Sequence, residues 1–182
     1  MMVSNHDMSV ADEMFFDADE KIKNGKIVEA RDILIDLITK SPEYGRAYNH
    51  LGWLYETKFK DFVVAESYYK KALELVPNYP ATYINYSIFL SNLGRFDELE
   101  ELLNRAISVP GISKDRVYNE FGIMYELKGE FLKAIEYYKK AIYASLSEKD
   151  INLYREAIDR CNLKKEILDS NGNNVFVKDV KN

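Results

Sequence analysis

The sequence predicts an all-α fold built from repeated helical hairpins, and three observations lead to that prediction. Tyr48, Leu51, Gly52 and Tyr55 are spaced as one face of a helix. The same arrangement returns 35 residues later from Tyr83 and a further 35 residues on from Tyr118. Glycine and proline, with only 8 and 4 copies, lie mostly where such helices should end. A repeat of this length is typical of a stacked helical array.

Four units of helix, turn and helix follow a loose lead-in over residues 1–10. Each unit has a first helix, a turn that usually contains glycine, a second helix, and then a turn that usually contains proline. The units are predicted over residues 11–44, 45–79, 80–114 and 115–148. Between Glu56 and Lys60 the second unit has one residue more than its neighbours.

Gly52 and Gly122 occupy the same position within two of the predicted first helices. Glycine inside a helix costs about 1 kcal/mol relative to alanine, so its use there needs a structural reason. Close approach of a second helix is the usual reason, and we expect it at both positions.

A final helix is predicted over residues 149–168, and Ser147-Glu148-Lys149-Asp150 supplies its start signal. A repeat array otherwise ends in an exposed apolar face, so this helix should act as a cap. It should bury Cys161 as a small apolar residue. Residues 169–182 are predicted to be a flexible tail, and Val175-Phe176-Val177 could dock in a groove of this chain or of a neighbour.

The phased units resemble the tetratricopeptide repeat family, whose pattern reads W-x2-L-G-x2-Y, then A-x3-F, then P. The match is fullest in the second unit, at Tyr48, Leu51, Gly52, Tyr55, Ala65, Tyr69 and Pro77, and in the fourth, at Tyr118, Phe121, Gly122, Tyr125, Ala134 and Tyr138. The first and third units depart from it, for example at Asp17 and Ser87. The resemblance implies a right-handed α-solenoid of four such repeats plus the C-terminal capping helix. It also implies that the first helices line a concave groove.

The candidate binding residues lie beside the packed face of the first helices, where amides alternate with apolar and basic side chains. They are Arg46, Asn49, His50, Trp53, Ile84, Asn85, Ile88, Arg116, Asn119 and Ile123. Amides can pair with the backbone of an extended segment, and apolar residues can take its side chains. We therefore expect a protein or peptide partner. Inter-repeat core is an equal alternative for Ile88 and Ile123 and a weaker one for Trp53.

Some family members hold the C-terminal carboxylate of a chaperone with a clamp of Lys, Asn and Arg side chains. The aligned positions here carry Asn49, Trp53, Asn85, Arg116 and Glu120. Only Asn85 has the residue type of the clamp at its own position, Arg116 keeps the charge, and Glu120 reverses it. Capture of a carboxylate by that route is therefore not expected.

Composition excludes several other classes of function. A net charge of −5 and a pI near 5.2 argue against nucleic acid or an anionic membrane as partner. With one cysteine, no disulfide framework is possible, and no signal-peptide pattern is visible, so we expect a cytoplasmic protein. His6 and His50 lack metal-ligand spacing, and no phosphate loop or nucleophile motif is present. We expect no cofactor, no metal and no enzymatic activity.

Two interpretations of other features remain. The acidic cluster within residues 12–20 is interpreted as a helix face turned to water. The main alternative function is self-association into a homodimer through that first unit, through Phe15 and Phe16, or through the tail. Small acidic repeat proteins that act as secretion chaperones resemble the chain in size and pI and would combine both roles.

Overall fold

The computed structural model describes residues 9–177 of the chain, with side chains through Ser170. All regular secondary structure in this range is helical, which confirms the predicted fold class. The helices are α1 (Val10–Lys23), α2 (Ile27–Lys40), α3 (Gly45–Leu54), α4 (Phe62–Leu75), α5 (Pro80–Asn92), α6 (Phe96–Ala106), α7 (Lys114–Leu127), α8 (Phe131–Ala144) and α9 (Glu148–Val177). The chain divides into two compact units, with the boundary between Tyr86 and Ser87 inside α5.

The first compact unit is built from hairpins whose helices pack in chain order, α1 on α2, α2 on α3, and α3 on α4. One continuous core joins the first three helices, because each turns an apolar stripe inward. Its fully or almost fully buried members are Phe15, Ala18, Leu34, Leu37, Ala47, Leu51 and Leu54. Burial of Phe15 corrects the interpretation of that ring as a dimer surface, whereas Phe16 is half exposed.

The extra residue of the second hairpin is accommodated by a π-helical turn over Tyr55–Phe59, directly after α3. The turn ends at Lys60, which has φ 58° in the left-handed region. In the other three hairpins glycine takes this left-handed position, at Gly25, Gly94 and Gly129. Glycine has no Cβ and adopts this conformation freely, so Lys60 is the strained exception among the four turns.

Lys60→Gly is expected to stabilise the protein by about 0.5–1 kcal/mol, since it removes the strain of a left-handed lysine. The reciprocal variant Gly129→Lys should destabilise it by a similar amount, because a Cβ at Gly129 meets open space and introduces strain alone. Urea unfolding of both variants measures the effect. Equal midpoints for the parent and both variants would contradict it.

Close helix approach at the two helical glycines is confirmed. A Cβ built on Gly52 would lie 2.7 Å from the Tyr69 ring, and one on Gly122 would lie 2.5 Å from the Tyr138 ring. Both tyrosines are fully buried. The hydroxyl of Tyr69 donates to Glu56 at 2.6 Å, and that of Tyr138 to Glu126 at 2.8 Å. Each buried phenol thus finds its acceptor within its own hairpin, in the π-helical turn after α3 for Tyr69 and on α7 for Tyr138.

The capping helix α9 packs against α8 in the second compact unit and buries Tyr154, Ala157 and Cys161. Arg160 donates two hydrogen bonds to Glu126, at 2.7 and 2.8 Å, and Lys164 donates another at 2.7 Å. Burial opposes ionisation of Glu126, but the hydrogen bonds from Arg160, Lys164 and Tyr138 outweigh it and lower its pKa to about 2. The carboxylate of Glu126 therefore joins three helices, α7, α8 and α9.

Cys161 is fully buried, as predicted, and burial raises the pKa of its thiol to about 11. At neutral pH the thiol is therefore protonated and a poor nucleophile. Cys161 thus serves as a small packing residue of α9.

The helix α9 is longer than predicted, since it continues to Val177 rather than ending at residue 168. The polar run after Asp169 contains no proline, so nothing prevents the backbone from continuing its hydrogen bonds. The Ser170 hydroxyl also donates to the Glu166 carbonyl at 2.7 Å. The side chains of Val175, Phe176 and Val177 lie outside the described residues, so their docking in a groove stays a prediction.

Deletion of residues 169–182 is expected to change the free energy of unfolding by less than about 1 kcal/mol. Leu163, Ile167 and Leu168 are each more than half exposed, so this end of α9 adds little to the core. Thermal melting followed by circular dichroism measures the effect. A large loss of stability would make the deleted segment part of the folded core.

Candidate functional site

A cavity of about 220 Å³ opens on the first helices of the first compact unit. Four of the predicted binding residues line it, together with two residues of α1. The lining residues are Asp19, Ile22, Asn49, His50, Trp53 and Asn85. Three successive first helices, α1, α3 and α5, therefore supply one mixed polar and apolar site.

Asn49 and Asn85 form the polar floor of this site. The amide of Asn85 on α5 donates to Oδ1 of Asn49 on α3 at 3.2 Å, and the two residues are 36 positions apart in the sequence. Asn49 is only 2% exposed, so its Oδ1 is a buried acceptor that this hydrogen bond satisfies. The pair fixes both side chains before any partner binds.

His50 stands beside this pair as a neutral imidazole. Its Nδ1 lies 3.3 Å from the backbone carbonyl of Arg46, which only accepts, so Nδ1 carries the proton. Burial lowers the pKa of His50 and outweighs the opposing contributions of Arg46 O and Asp19. Nε2 is then an acceptor, and it lies 3.7 Å from Asp19 Oδ1. The ring also packs edge-on against Phe15, with centroids 4.6 Å apart.

Sequence reasoning did not single out Asp19 and Ile22 as site residues. The acidic cluster was interpreted as a helix face turned to water, and the structure adds that the Asp19 side chain, at 30% exposure, lines the cavity. The available signal was the repeat itself, since Asp19 precedes Trp53 by 34 residues and so holds the equivalent position. The weak match of the first unit to the repeat pattern obscured this equivalence.

Trp53 is the chain's only tryptophan and lies partly buried at the cavity wall. Its side chain packs against the core cluster of the first compact unit. The ammonium of Lys58 lies 5.5 Å from the centroid of the ring, within the range of a cation–π contact. Trp53 thus combines packing against the core with access to the cavity.

Two predicted site residues of the first compact unit lie elsewhere. The Arg46 guanidinium lies over the Phe15 ring, 4.5 Å from its centroid, and borders a separate cavity of about 350 Å³ with Val76 and Tyr79. Ile84 is only 5% exposed and belongs to the core, so it does not face a partner. Its predicted role is therefore corrected: its apolar side chain gains more from burial than from the surface.

The predicted site residues of the second compact unit lie on α5 and α7. On α7, Arg116 is exposed, while Asn119 and Ile123 are partly buried. On α5, Ile88 is 36% exposed. That these residues bind the same partner as the cavity in the first compact unit stays a prediction.

Glu120 also lies on α7, and its side chain is buried, at 8% exposure. Burial raises the pKa of Glu120 to about 7, although the charge of Arg116 and a hydrogen bond from Asn119 act in the opposite direction. A buried carboxyl with a raised pKa reduces stability when it ionises.

Among residues 9–170, no group of three or more His, Cys, Asp and Glu side chains is arranged to hold a metal ion. No helix within the described range is long and apolar enough to cross a membrane.

The consecutive helical hairpins, with a site on their first helices, define the class as a helical-repeat protein. Two models of the tetratricopeptide repeat match the chain, one over residues 68–101 and another over residues 45–79 and 115–148. Together these matches cover half of the chain. The chain belongs to the tetratricopeptide repeat family.

A curated relative agrees with this assignment. The TPR repeat-containing protein MJ0940 of Methanocaldococcus jannaschii is 34% identical over 125 residues. The match covers 67% of the present chain but only 35% of the relative, so the chain spans about a third of that protein's length.

Solved structures share the fold at lower sequence identity. PilF of Pseudomonas aeruginosa has a TM-score of 0.75 at 19% identity, and the match covers 86% of the present chain and 69% of PilF. PilW, a type IV pilus biogenesis factor, has a TM-score of 0.71 at 18% identity, with 85% and 79% covered. The thermophilic protein TTC0263 of Thermus thermophilus has a TM-score of 0.67 at 20% identity, and the match covers 81% of each chain. At these identities the likeness concerns the fold alone.

Proposed function

We propose that the chain is a non-catalytic adaptor or chaperone-like module that holds an extended segment of a partner protein against its first helices. Proteins of the tetratricopeptide repeat family generally bind other proteins. The observation that carries the proposal is the cavity in the first compact unit, where three successive first helices contribute to one site.

The lining of the cavity suits a peptide. Asn85 is held in place by its hydrogen bond to the buried Asn49, and its amide can donate to and accept from a peptide backbone. Trp53 supplies a large, partly fixed apolar surface, and tryptophan is among the residues that most often dominate binding energy. Preordered side chains lose little conformational entropy on binding, which favours affinity.

Trp53→Ala is expected to weaken binding of a protein segment by roughly 2 kcal/mol or more, about thirtyfold in affinity. Asn85→Ala should cost about 1 kcal/mol, the value of one uncharged hydrogen bond. Peptides selected from a random display library against the parent protein would provide the ligands, and calorimetric titration would give the affinities. Tyr143→Ala is the matched control, because this aromatic is 89% exposed and lies outside the cavity.

Two results would contradict the proposal. One is that selected peptides bind Trp53→Ala and Tyr143→Ala equally well. The other is that the melting temperature of Trp53→Ala falls strongly, since the side chain would then belong chiefly to the core that it contacts. We expect a drop of only a few degrees, because the ring is partly exposed.

Self-association is a second candidate function, and a feature of the second compact unit favours it. A cavity of about 480 Å³, lined by apolar and charged residues, lies between the start of α8 and the later part of α9. Leu132 and Leu168 line it, at 67% and 57% exposure, and a second copy of the chain could cover them. Sedimentation velocity of the parent and of Leu132→Glu tests this, since a dimer sealed there should dissociate in the variant.

The remaining parts of the proposal concern location and partner class. A net charge of −5 supports a protein partner rather than nucleic acid or an anionic membrane. The single cysteine, buried in α9, is compatible with the cytoplasm that we propose as the location.

A further inference from the structure

Two acceptor atoms face each other at the cavity without a proton between them. His50 donates through Nδ1 to the Arg46 carbonyl, so its Nε2 presents a lone pair. Asp19 Oδ1 lies 3.7 Å from that nitrogen. A lone pair and a carboxylate oxygen repel at this distance unless a donor binds both. A ligand group with several N–H donors and a positive charge would therefore be stabilised between these two acceptors.

The charge of the cavity also favours a positively charged ligand group. Among the described residues that line it, Asp19 alone has a formal charge, because His50 is neutral. The internal partner of Asp19 is the Lys23 ammonium at 2.6 Å, one helical turn along α1. That lysine is 71% exposed, and exposed pairs of this spacing are worth only a few tenths of a kcal/mol. An incoming cation can therefore share Asp19 with Lys23, or displace Lys23 from it, with little loss of stability.

The apolar part of the lining suits the stem of a long basic side chain. Ile22 and Trp53 border the same cavity as Asp19 and His50. Methylene groups of lysine and arginine pack well on such surfaces while their charged ends reach polar partners. Indole also attracts cations, as the chain's own Lys58 shows at 5.5 Å from the Trp53 ring.

We infer that this cavity takes a lysine or arginine side chain of the bound segment, with Asp19 and His50 Nε2 accepting from its charged end and Ile22 and Trp53 packing on its stem. The inference rests on the proposed function, to which it adds a preference for basic partner segments. This preference is opposite to that of a clamp for carboxylates.

Trp53, the only tryptophan of the chain, lines the cavity, so its emission should change when a group enters. Nα-acetyl-lysine amide should change Trp53 fluorescence saturably, and the same compound acetylated on Nε, which has no charge, should not. Measurements at pH 8 keep His50 neutral, and 0.15 M salt limits attraction by the overall charge to about 8 Å.

Asp19→Asn should weaken binding of the lysine probe roughly tenfold, the value of one charge-assisted hydrogen bond. Glu20→Gln is the matched control, because it removes the same charge from the next residue of α1, which is exposed and lies outside the cavity. The control should bind within about twofold of the parent. Asp19→Asn should melt like the parent, because its pair with exposed Lys23 adds little stability.

Three outcomes would overturn the inference. They are equal weakening by Asp19→Asn and Glu20→Gln, equal binding of the charged and the acetylated probes, and no saturable change in Trp53 fluorescence. The first would show attraction by overall charge alone. The second would show that the cavity recognises the stem and not the cation.

The peptides selected by display separate this inference from the proposed function. Peptides that depend on Trp53 but have no basic residue sensitive to Asp19→Asn would leave the proposed function standing and overturn the inference. Binding of the lysine probe with Asp19 dependence, without any selected peptide, would support the cation site and contradict segment binding.

Discussion

Gly122→Leu is expected to lower the free energy of unfolding by roughly 3 kcal/mol or more, the upper part of the range for overpacking. A Cβ at this position would lie 2.5 Å from the Tyr138 ring, so α7 and α8 must separate to admit any side chain. Tyr138 cannot move aside cheaply, because it is fully buried and its hydroxyl donates to Glu126. Urea and thermal unfolding followed by circular dichroism measure the loss.

The effect should extend to the capping helix. Glu126 receives Tyr138 from α8 and Arg160 and Lys164 from α9, so displacement of the Tyr138 ring disturbs the same carboxylate. Coupling between neighbours in a repeat array predicts faster hydrogen exchange in α9 of the variant. The double variant Gly122→Leu/Tyr138→Ala should be more stable than the sum of the single effects, because it removes the clash.

Gly52→Leu is an independent test in the first compact unit, since its Cβ would meet the Tyr69 ring at 2.7 Å. Unchanged melting of either glycine variant would contradict the close-packing explanation. Additive effects in the double variant would show that Tyr138 is not the residue that excludes a side chain at position 122.

Glu120→Gln is expected to stabilise the protein at pH 8 by roughly 3 kcal/mol, an upper estimate from the change in pKa. Burial raises the pKa of Glu120 from 4.5 to about 7. Above pH 7 the carboxyl is ionised in both states, but the charge is poorly solvated in the folded protein. Glutamine is close in shape, retains hydrogen-bonding capacity toward Asn119, and never ionises.

The sign of the pH dependence follows from the raised pKa. Below pH 4.5 Glu120 is protonated in both states, and the variant has no advantage from this group. Between pH 4.5 and about 7 the unfolded chain ionises while the folded protein keeps its proton, so the parent loses stability relative to the variant. Urea unfolding at several pH values should show the difference in unfolding free energy between variant and parent increase from pH 4.5 to about 7 and stay constant above it.

Glu126→Gln is a matched control on the same helix with the opposite sign. The pKa of Glu126 is lowered to about 2, so its ionised form stabilises the folded protein at neutral pH. The variant should lose roughly 2–3 kcal/mol at pH 7, and this loss should shrink as the pH falls from 4.5 toward 2. A Glu120→Gln variant that is no more stable than the parent at pH 8 would show that the carboxylate is well solvated.

Much of the fold was predictable from residue spacing. The repeat of about 35 residues, the buried Gly52 and Gly122, and the capping helix follow from the periods at which apolar residues and glycines recur. These features are local or repeated, so each copy supports the interpretation of the others. The extra residue near Glu56 was also visible, although its accommodation as a π-helical turn was not.

Four of the predicted binding residues, Asn49, His50, Trp53 and Asn85, line one cavity, so the sequence by itself determined much of the lining. Only the tertiary structure decided that Asp19 joins them, that Ile84 is buried, and that Arg46 lies over Phe15. The helical period determines which side of a helix a residue occupies. Whether that side is open depends on neighbouring helices, whose approach is set by the volumes of side chains distant in sequence.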